Sequence, residues 1–461
     1  MVWTCPQHKR TSLSSIPQSI VQHIAFYIPV AKDFLSFLAS FPDATSIGDL
    51  QHFLELSNIL EPNDLWPKLQ LQELTPSLVP SVRRITRFFT TIYVLKVFDL
   101  ELLQQCLHPH NVVELLKCPL SNEDLHEWLT TSVSILPVQH IYVYSSNKVT
   151  SARFLDQLGS MAHLVSLSLY GCTLDTCDLD RLFDFIGETS NLTRLSLSAL
   201  DVSTDIRILS PPVRFGQRHL QALAVWLRRC IVTSITLRDW FVEDEDRASA
   251  VELLKTIFAS STLEHVSMDM KSFDRDIQAA MFPAPLRIQS LELSYCSLNV
   301  TTMAALATVL RHSNITSLTL DESEIDLTTL QSLLDALFDT NVRQLRLSST
   351  CLKDDACALI AVALPSLKLV ELNLTNNMVT DRGVEVLAEV VGCAASLTSL
   401  VLSDNDIDLE GATALVKALS ERPQVTTRLD LSYNFIYDAA YLDDMVQRTP
   451  QILKANFQSY F

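Results

Sequence analysis

Glycine is scarce in this chain, with eight in 461 residues. That excludes a Gly-rich loop cradling phosphates on backbone amides, and no Gly-x-Ser-x-Gly elbow is present to present a nucleophilic serine. Ten cysteines include no Cys-x-x-Cys pair, and eleven histidines form no His-Glu-x-x-His. No metal site, no cofactor and no catalytic residue is therefore expected. Positive charge is also short: 35 Lys and Arg face 53 Asp and Glu, a net charge of −18. A nucleic-acid face needs a basic surface, so nucleic acid is excluded as a partner, while basic protein surfaces are favoured. The longest apolar stretch, Phe88 to Leu103, is broken by Lys96, Asp99 and Glu101, so no membrane-spanning helix is expected. Met1 to Ile28 carries no secretory signal pattern, which implies a cytoplasmic or nuclear protein with reduced thiols.

What the chain has in abundance is leucine at fixed spacing. Leu164, Leu167, Leu169; Leu192, Leu195, Leu197; Ile288, Leu291, Leu293; Ile315, Leu318, Leu320; Val342, Leu345, Leu347; Leu369, Leu372, Leu374; and Leu397, Leu400, Leu402 form one ladder. Its copies start about 25 to 29 residues apart, a period that marks a repeat array. Weaker copies begin near Val113, Val138, Val232, Leu263 and Thr426, and Ile452 to Phe457 reads as a closing strand. Within a copy, Leu372 and Leu374 alternate with polar residues, the period of a strand with one buried face. Val384, Leu387, Ala388 and Val391 then recur at helical spacing. Each copy thus predicts one short parallel strand and one full helix. Because strands stack about 4.8 Å apart and helices need about 10 Å, the array should bend with its strands on the concave side.

These repeats, over roughly residues 110 to 461, resemble the ribonuclease-inhibitor class of leucine-rich repeat. The fold class expected is an α/β leucine-rich-repeat horseshoe with a small all-α amino-terminal region. The resemblance implies a protein target held on the concave face. Side chains placed there are Tyr170, Arg194, Arg238, Trp240, Asp269, Glu292, Asp321, Arg346, Glu371 and Asp430. Tyr170, Arg238 and Trp240 are the best anchors, since aromatic and Arg side chains dominate binding hot spots. Asn377, Asn405 and Asn434 recur beyond the strand leucines and are read as structural, satisfying backbone groups at a buried turn. Cys172 and Cys296 sit at matching positions and read as small buried fillers. The acidic runs Glu243 to Asp246, Asp321 to Asp326 and Asp404 to Glu410 are open to two readings. They stabilise helix starts, or they attract a basic partner. The copies starting at Leu192 and Val232 lie unusually far apart, and the excess falls in Val202 to Arg218, read as a surface loop.

Residues 1 to about 110 lack the ladder. A Pro-started helix places Ile20, Val21, Ile24 and Ile28 on one stripe, a second helix follows from Ala31, and Leu65-Trp66 comes late. That order resembles an F-box, the module docking on the Skp-type adaptor of cullin ubiquitin ligases. The matching positions are Ile16, Pro17, Ile20, Ile24, Phe34, Leu35, Leu38 and Trp66, with Asp33 beside them. The other reading is a helical cap that buries the first repeat. Residues 76–111 are expected to be a helical bridge and 112–461 the solenoid. The function this implies is non-enzymatic: a substrate-recognition subunit of such a ligase. The alternative is a repeat regulator of another protein, like ribonuclease inhibitors or Ran-GTPase activators, without a ligase link.

Overall fold

The computed structural model describes residues 16–97, 99–116, 136–144, 154–161, 163–200, 213–269, 282, 285–296 and 300–458. Contacts divide the chain into two units, one formed by 1–181 with 201–208, the other by 182–200 with 209–461.

In the first unit, helices Gln18–Ala25, Ala31–Ala39, Gln51–Leu56 and Pro62–Leu65 precede a parallel ladder of strands. Its strands are Leu69–Leu71, Thr91–Val94, Val112–Leu115, Val138–Tyr144 and Ser166–Tyr170, each paired in parallel with the next. The ladder thus starts earlier than the leucine spacing predicts. The segment 76–111, expected to be a helical bridge, holds two helices, Val79–Thr86 and Leu100–Cys106, with strand Thr91–Val94 between them. Its short coils sit below the period of the clear repeats, and Ile92 and Val94 face the core in place of leucines. The Val113 copy is a true strand.

The amino-terminal helices bury a face one residue out of step with the predicted stripe. Val21 and Ala25 are fully buried, whereas Ile20 and Ile24 stay about half exposed. Trp66 stacks on Phe34 at 4.3 Å, and its indole N–H donates to the Ile28 carbonyl at 2.6 Å. Phe26 touches Phe88 at 5.4 Å, and Phe53 and Trp66 touch Phe89 at 6.0 Å. This aromatic cluster fastens the helices to the first coils, since aromatic pairs bury large areas in fixed geometry.

In the second unit ten strands run in parallel: Arg194–Ser198, Ser234–Leu237, His265–Asp269, Ser290–Ser294, Ser317–Thr319, Gln344–Arg346, Glu371–Asn373, Ser399–Val401, Arg428–Asp430 and Ala455–Asn456. Register places Leu318, Leu345, Leu372, Leu400 and Leu429 side by side, all buried against the helices. The last strand is the closing one that Ile452 to Phe457 predicted.

Two features recur where many of these strands end. The fourth residue past the aligned leucine has positive φ: Ala199, Asp239, Tyr295, Glu322, Ser349, Asn376, Asp404 and Tyr433, and in the first unit Gly171. The next side chain turns inward. There Asn434 accepts from the amides of Asn405 and Ile407 and donates to the carbonyls of Leu402 and Leu431. Asn405 does the same for Asn377 and Val379, and Asn377 for Thr350 and Leu352. All three are buried, as the structural reading requires. Upstream the position holds Thr350, Ser323, Cys296 and Cys172, so the two cysteines are indeed buried fillers. Removing a shared acceptor strands two buried amides, each costing about 1–3 kcal/mol. We expect Asn405→Ala to lower stability by about 3 kcal/mol or more and Thr350→Ala by clearly less, read from urea denaturation of the full chain. A change at Asn405 no larger than that at an exposed serine would remove this role.

Candidate functional site

A strand buries alternate side chains, so residues between the core leucines occupy the sheet face away from the helices. In the first unit this face is aromatic. Ile141 and Val143 point inward, and Tyr142 and Tyr144 therefore point out, with Tyr170 on the next strand in register with Tyr144. Tyr144 and Tyr170 stack at 5.8 Å and 26°. All three are exposed, Tyr144 by 51% and Tyr170 by 46%. Gly171, in a left-handed conformation, lies against this shelf, where a Cβ would come within 3.0 Å of the Tyr144 ring. Burial, then neighbouring Tyr170, Cys172 and Tyr144, raises the Tyr142 hydroxyl above its usual value. His140 sits 3.5 Å from Glu114 on the same face, and the Lys68 ammonium lies over the Tyr93 ring at 5.5 Å.

In the second unit the face is ionic. Arg238 pairs with Glu292 and donates to Ser267 at 3.1 Å. Burial works to lower the Arg238 guanidinium, and the bond to Glu292 together with the charges of Glu292, Asp269 and Asp321 outweighs this and raises it. Asp269 is buried and accepts the Asp239 amide at 2.7 Å. Arg346 reaches Asp321 at 3.0 Å, and burial raises the Asp321 carboxyl although it accepts the Ser348 amide. Arg428 pairs with Asp430 at 3.0 Å, and bonds from Ser432 and Arg428 hold that carboxyl low against burial. Arg194 and Glu371 lie on the same face, exposed and half-buried.

Trp240 does not belong to this surface. It is 3% exposed, at the inward position held elsewhere by asparagine, and its ring packs on Phe215 at 5.0 Å. The reason is local: strand Trp240–Phe241 pairs with Val213–Arg214, the end of the inserted segment, and Trp240 is folded beneath it. The rest of the insertion, 202–212, lies outside the described residues. Tyr142 and Tyr144 were missed because only Val138 marked their weak repeat, although alternation with Ile141 and Val143 was readable.

Of the predicted adaptor-docking residues, Phe34, Leu38 and Trp66 are buried, Leu35 is half-buried, Ile16 is half-buried, and Pro17, Ile20 and Ile24 are exposed. Tyr27 and Val30 join the exposed group.

The acidic runs divide by position. Asp326 and Asp408 cap helices, accepting from Thr329 and Glu410 amides at 2.7 Å each. Asp246, with Glu243 and Glu245, holds Arg214. Glu322, Glu324 and Asp406 remain exposed. Asp381 accepts the Asp408 amide at 2.9 Å and sits where a Cβ on Gly411 would clash with it. Among the described residues no group of three or more His, Cys, Asp or Glu could hold a metal ion. None of the described helices is long and apolar enough to cross a membrane.

A family described as Leucine Rich repeat matches residues 366–388 and 394–416. No curated protein matches the chain. Among solved structures, an internalin from Listeria monocytogenes is similar over 89% of this chain and 94% of its own, at 14% identity and a TM-score of 0.31. The chain carries leucine-rich repeats, and its fold class is the α/β arrangement of such repeats: parallel strands backed by helices, with the leucines between.

Burial, then the side-chain hydrogen bond with Asp408, pushes the Asp381 carboxyl from 3.8 up to about 6 against the Asp408 amide, which lowers it. A folded value above the unfolded one means stability present at low pH and lost as pH rises through about 6. Asp381→Asn, which mimics the protonated form, should therefore be more stable than the wild type at neutral pH, with the advantage shrinking toward pH 4. Thermal unfolding across pH reads this, and a pH-independent difference would refute it.

Proposed function

We propose that this protein is a non-enzymatic recognition scaffold that grips a partner protein on the helix-free face of its sheet. The tyrosine shelf of Tyr142, Tyr144 and Tyr170 is the observation that carries the reading. Three adjacent rings held on a rigid ladder offer large contact area at small entropic cost, the property of binding hot spots. Arg194, Arg238, Glu292, Asp321, Arg346, Glu371 and Asp430 supply charges on the sheet face of the second unit, whereas the expected Asp269 is buried and holds the Asp239 amide instead. Fixed pairs such as Arg238–Glu292 favour register and selectivity over raw affinity. The net charge of −18 suits a basic partner surface.

The finer reading is that the amino-terminal helices dock a Skp-type adaptor, making the protein the substrate-recognition subunit of a cullin ubiquitin ligase. The support is the resemblance to an F-box together with the exposure of Ile20 and Ile24 on the first helix, and of Tyr27 and Val30 in the turn after it, beside an interior fixed by Phe34, Leu38 and Trp66. The buried part of the motif serves the helices' own packing, and the exposed part remains for a partner. The residues called on would act by proximity, holding a target lysine near a partner's active site.

Two measurements test these readings. Full-length protein carrying Tyr144→Ala and Tyr170→Ala should fold with unchanged secondary structure and lose partners captured by proximity labelling at least tenfold. An unchanged partner set would overturn the face assignment. Full-length protein should co-purify with a Skp-type adaptor, and Ile20→Asp with Ile24→Asp should abolish this; no complex with the wild type ends the ligase reading and leaves the scaffold reading standing.

A further inference from the structure

Basic side chains are sparse in this chain, yet three arginines fall within five residues at 83–87. Arg83, Arg84 and Arg87, with Pro80 and His108, line a cleft of about 420 Å³ in the first unit. Helix Val79–Thr86 turns Val82, Ile85 and Thr86 inward, which leaves Arg83 and Arg84 on its outer face and Arg87 just past its end. Arg83 donates to the Gln105 carbonyl at 2.9 Å, and the His108 ring meets the Arg83 carbonyl at 2.9 Å. Buried Asn111 accepts the His108 amide at 2.6 Å and donates to the Thr86 and Phe89 carbonyls. The cleft's two walls, the helix end and the turn at 108–111, are thus tied together.

Among the described residues Asp49 is the carboxylate that pairs here, at 2.5 Å from Arg87 and 3.8 Å from Arg84. Glu55, which accepts from Ser81 on the same helix, is already engaged by His52 at 2.7 Å. Three guanidinium charges against the one carboxylate of Asp49 leave an excess of two in the cleft, inside a chain whose net charge is strongly negative. Another cleft, beside Leu227 and Thr256, differs: its Arg228 is matched by Glu252 at 2.7 Å.

We propose that the Arg83–Arg84–Arg87 cleft binds a phosphate monoester carried on a partner polypeptide. A phosphorylated side chain brings about −1.5 to −2 charges and three acceptor oxygens, which match the excess charge and the forked donors. A single carboxylate would leave half the charge unmatched. The site lies outside the tyrosine shelf, so it makes recognition depend on a modification of the target, and its failure would leave the scaffold reading untouched.

The test uses the full-length protein and pooled fluorescent peptides with a fixed central phosphoserine in degenerate flanks, beside the same pool with serine. Anisotropy titration should show at least tenfold tighter binding of the phosphorylated pool. Binding should weaken as salt is raised, and Arg83→Ala with Arg84→Ala should lose at least tenfold. These side chains are exposed, so the fold should survive, which circular dichroism checks. Arg228→Ala, where the guanidinium is already paired with Glu252, should change nothing. Equal binding of the two pools, or an unaffected double variant, overturns the proposal. Inorganic phosphate competing as well as the phosphorylated pool would assign the site to free phosphate and overturn the polypeptide ligand.

Discussion

The coils that end in a left-handed residue must turn away from their strands inside a crowded core, where no water can satisfy the backbone. The solution repeats. One residue takes a left-handed conformation and the next directs a side chain inward. In the carboxy-terminal coils that side chain is asparagine, whose single amide serves its own turn and the turn of the preceding coil. Adjacent coils therefore hold one another by hydrogen bonds between neighbours, in addition to leucine burial. An unmet amide or carbonyl there would cost more than an ordinary bond contributes. Further upstream Thr350, Ser323 and Cys296 fill the same place with fewer bonds, and Trp240 fills it with apolar bulk.

This internal order frees the opposite sheet face. Because the turn and the leucines consume the inward side chains, the residues between them carry no structural duty to the core. The two units use that freedom differently. One displays stacked tyrosines. The other displays arginine–carboxylate pairs whose members already hold one another, as in Arg346 with Asp321. Glu322 and Tyr433 adopt left-handed backbone in the turns, a conformation glycine would adopt with less strain. The chain has few glycines, and their scarcity is compatible with the fold because single strained residues are tolerated when the surrounding bonds over-determine them.

Much of this was legible. Leu345, Leu372 and Leu400 announce the coil, and Asn377, Asn405 and Asn434 announce the turn, because a strict period leaves each position one environment. The amino-terminal coils were less so. Ile92 and Val94 occupy leucine positions at shorter spacing, and the neighbouring Arg83 to Phe89 reads equally as helix. Trp240 misled for a similar reason: two residues past Arg238 and just beyond strand Ser234–Leu237, it reads as a surface anchor. Only pairing with Val213–Arg214, from the far end of an insertion, put it inside.

Sequence alone determined the repeat, the strand-then-helix order, the inward leucines and the asparagine turn, since these depend on local period and on groups close in the chain. Tertiary structure decided which aromatic rings face solvent, that Val21 and not Ile20 is buried, and that Arg83, Arg84 and Arg87 share a cleft with His108. Those facts depend on contacts between segments twenty or more residues apart. No local period encodes such contacts, because they follow from how whole coils and helices settle against each other.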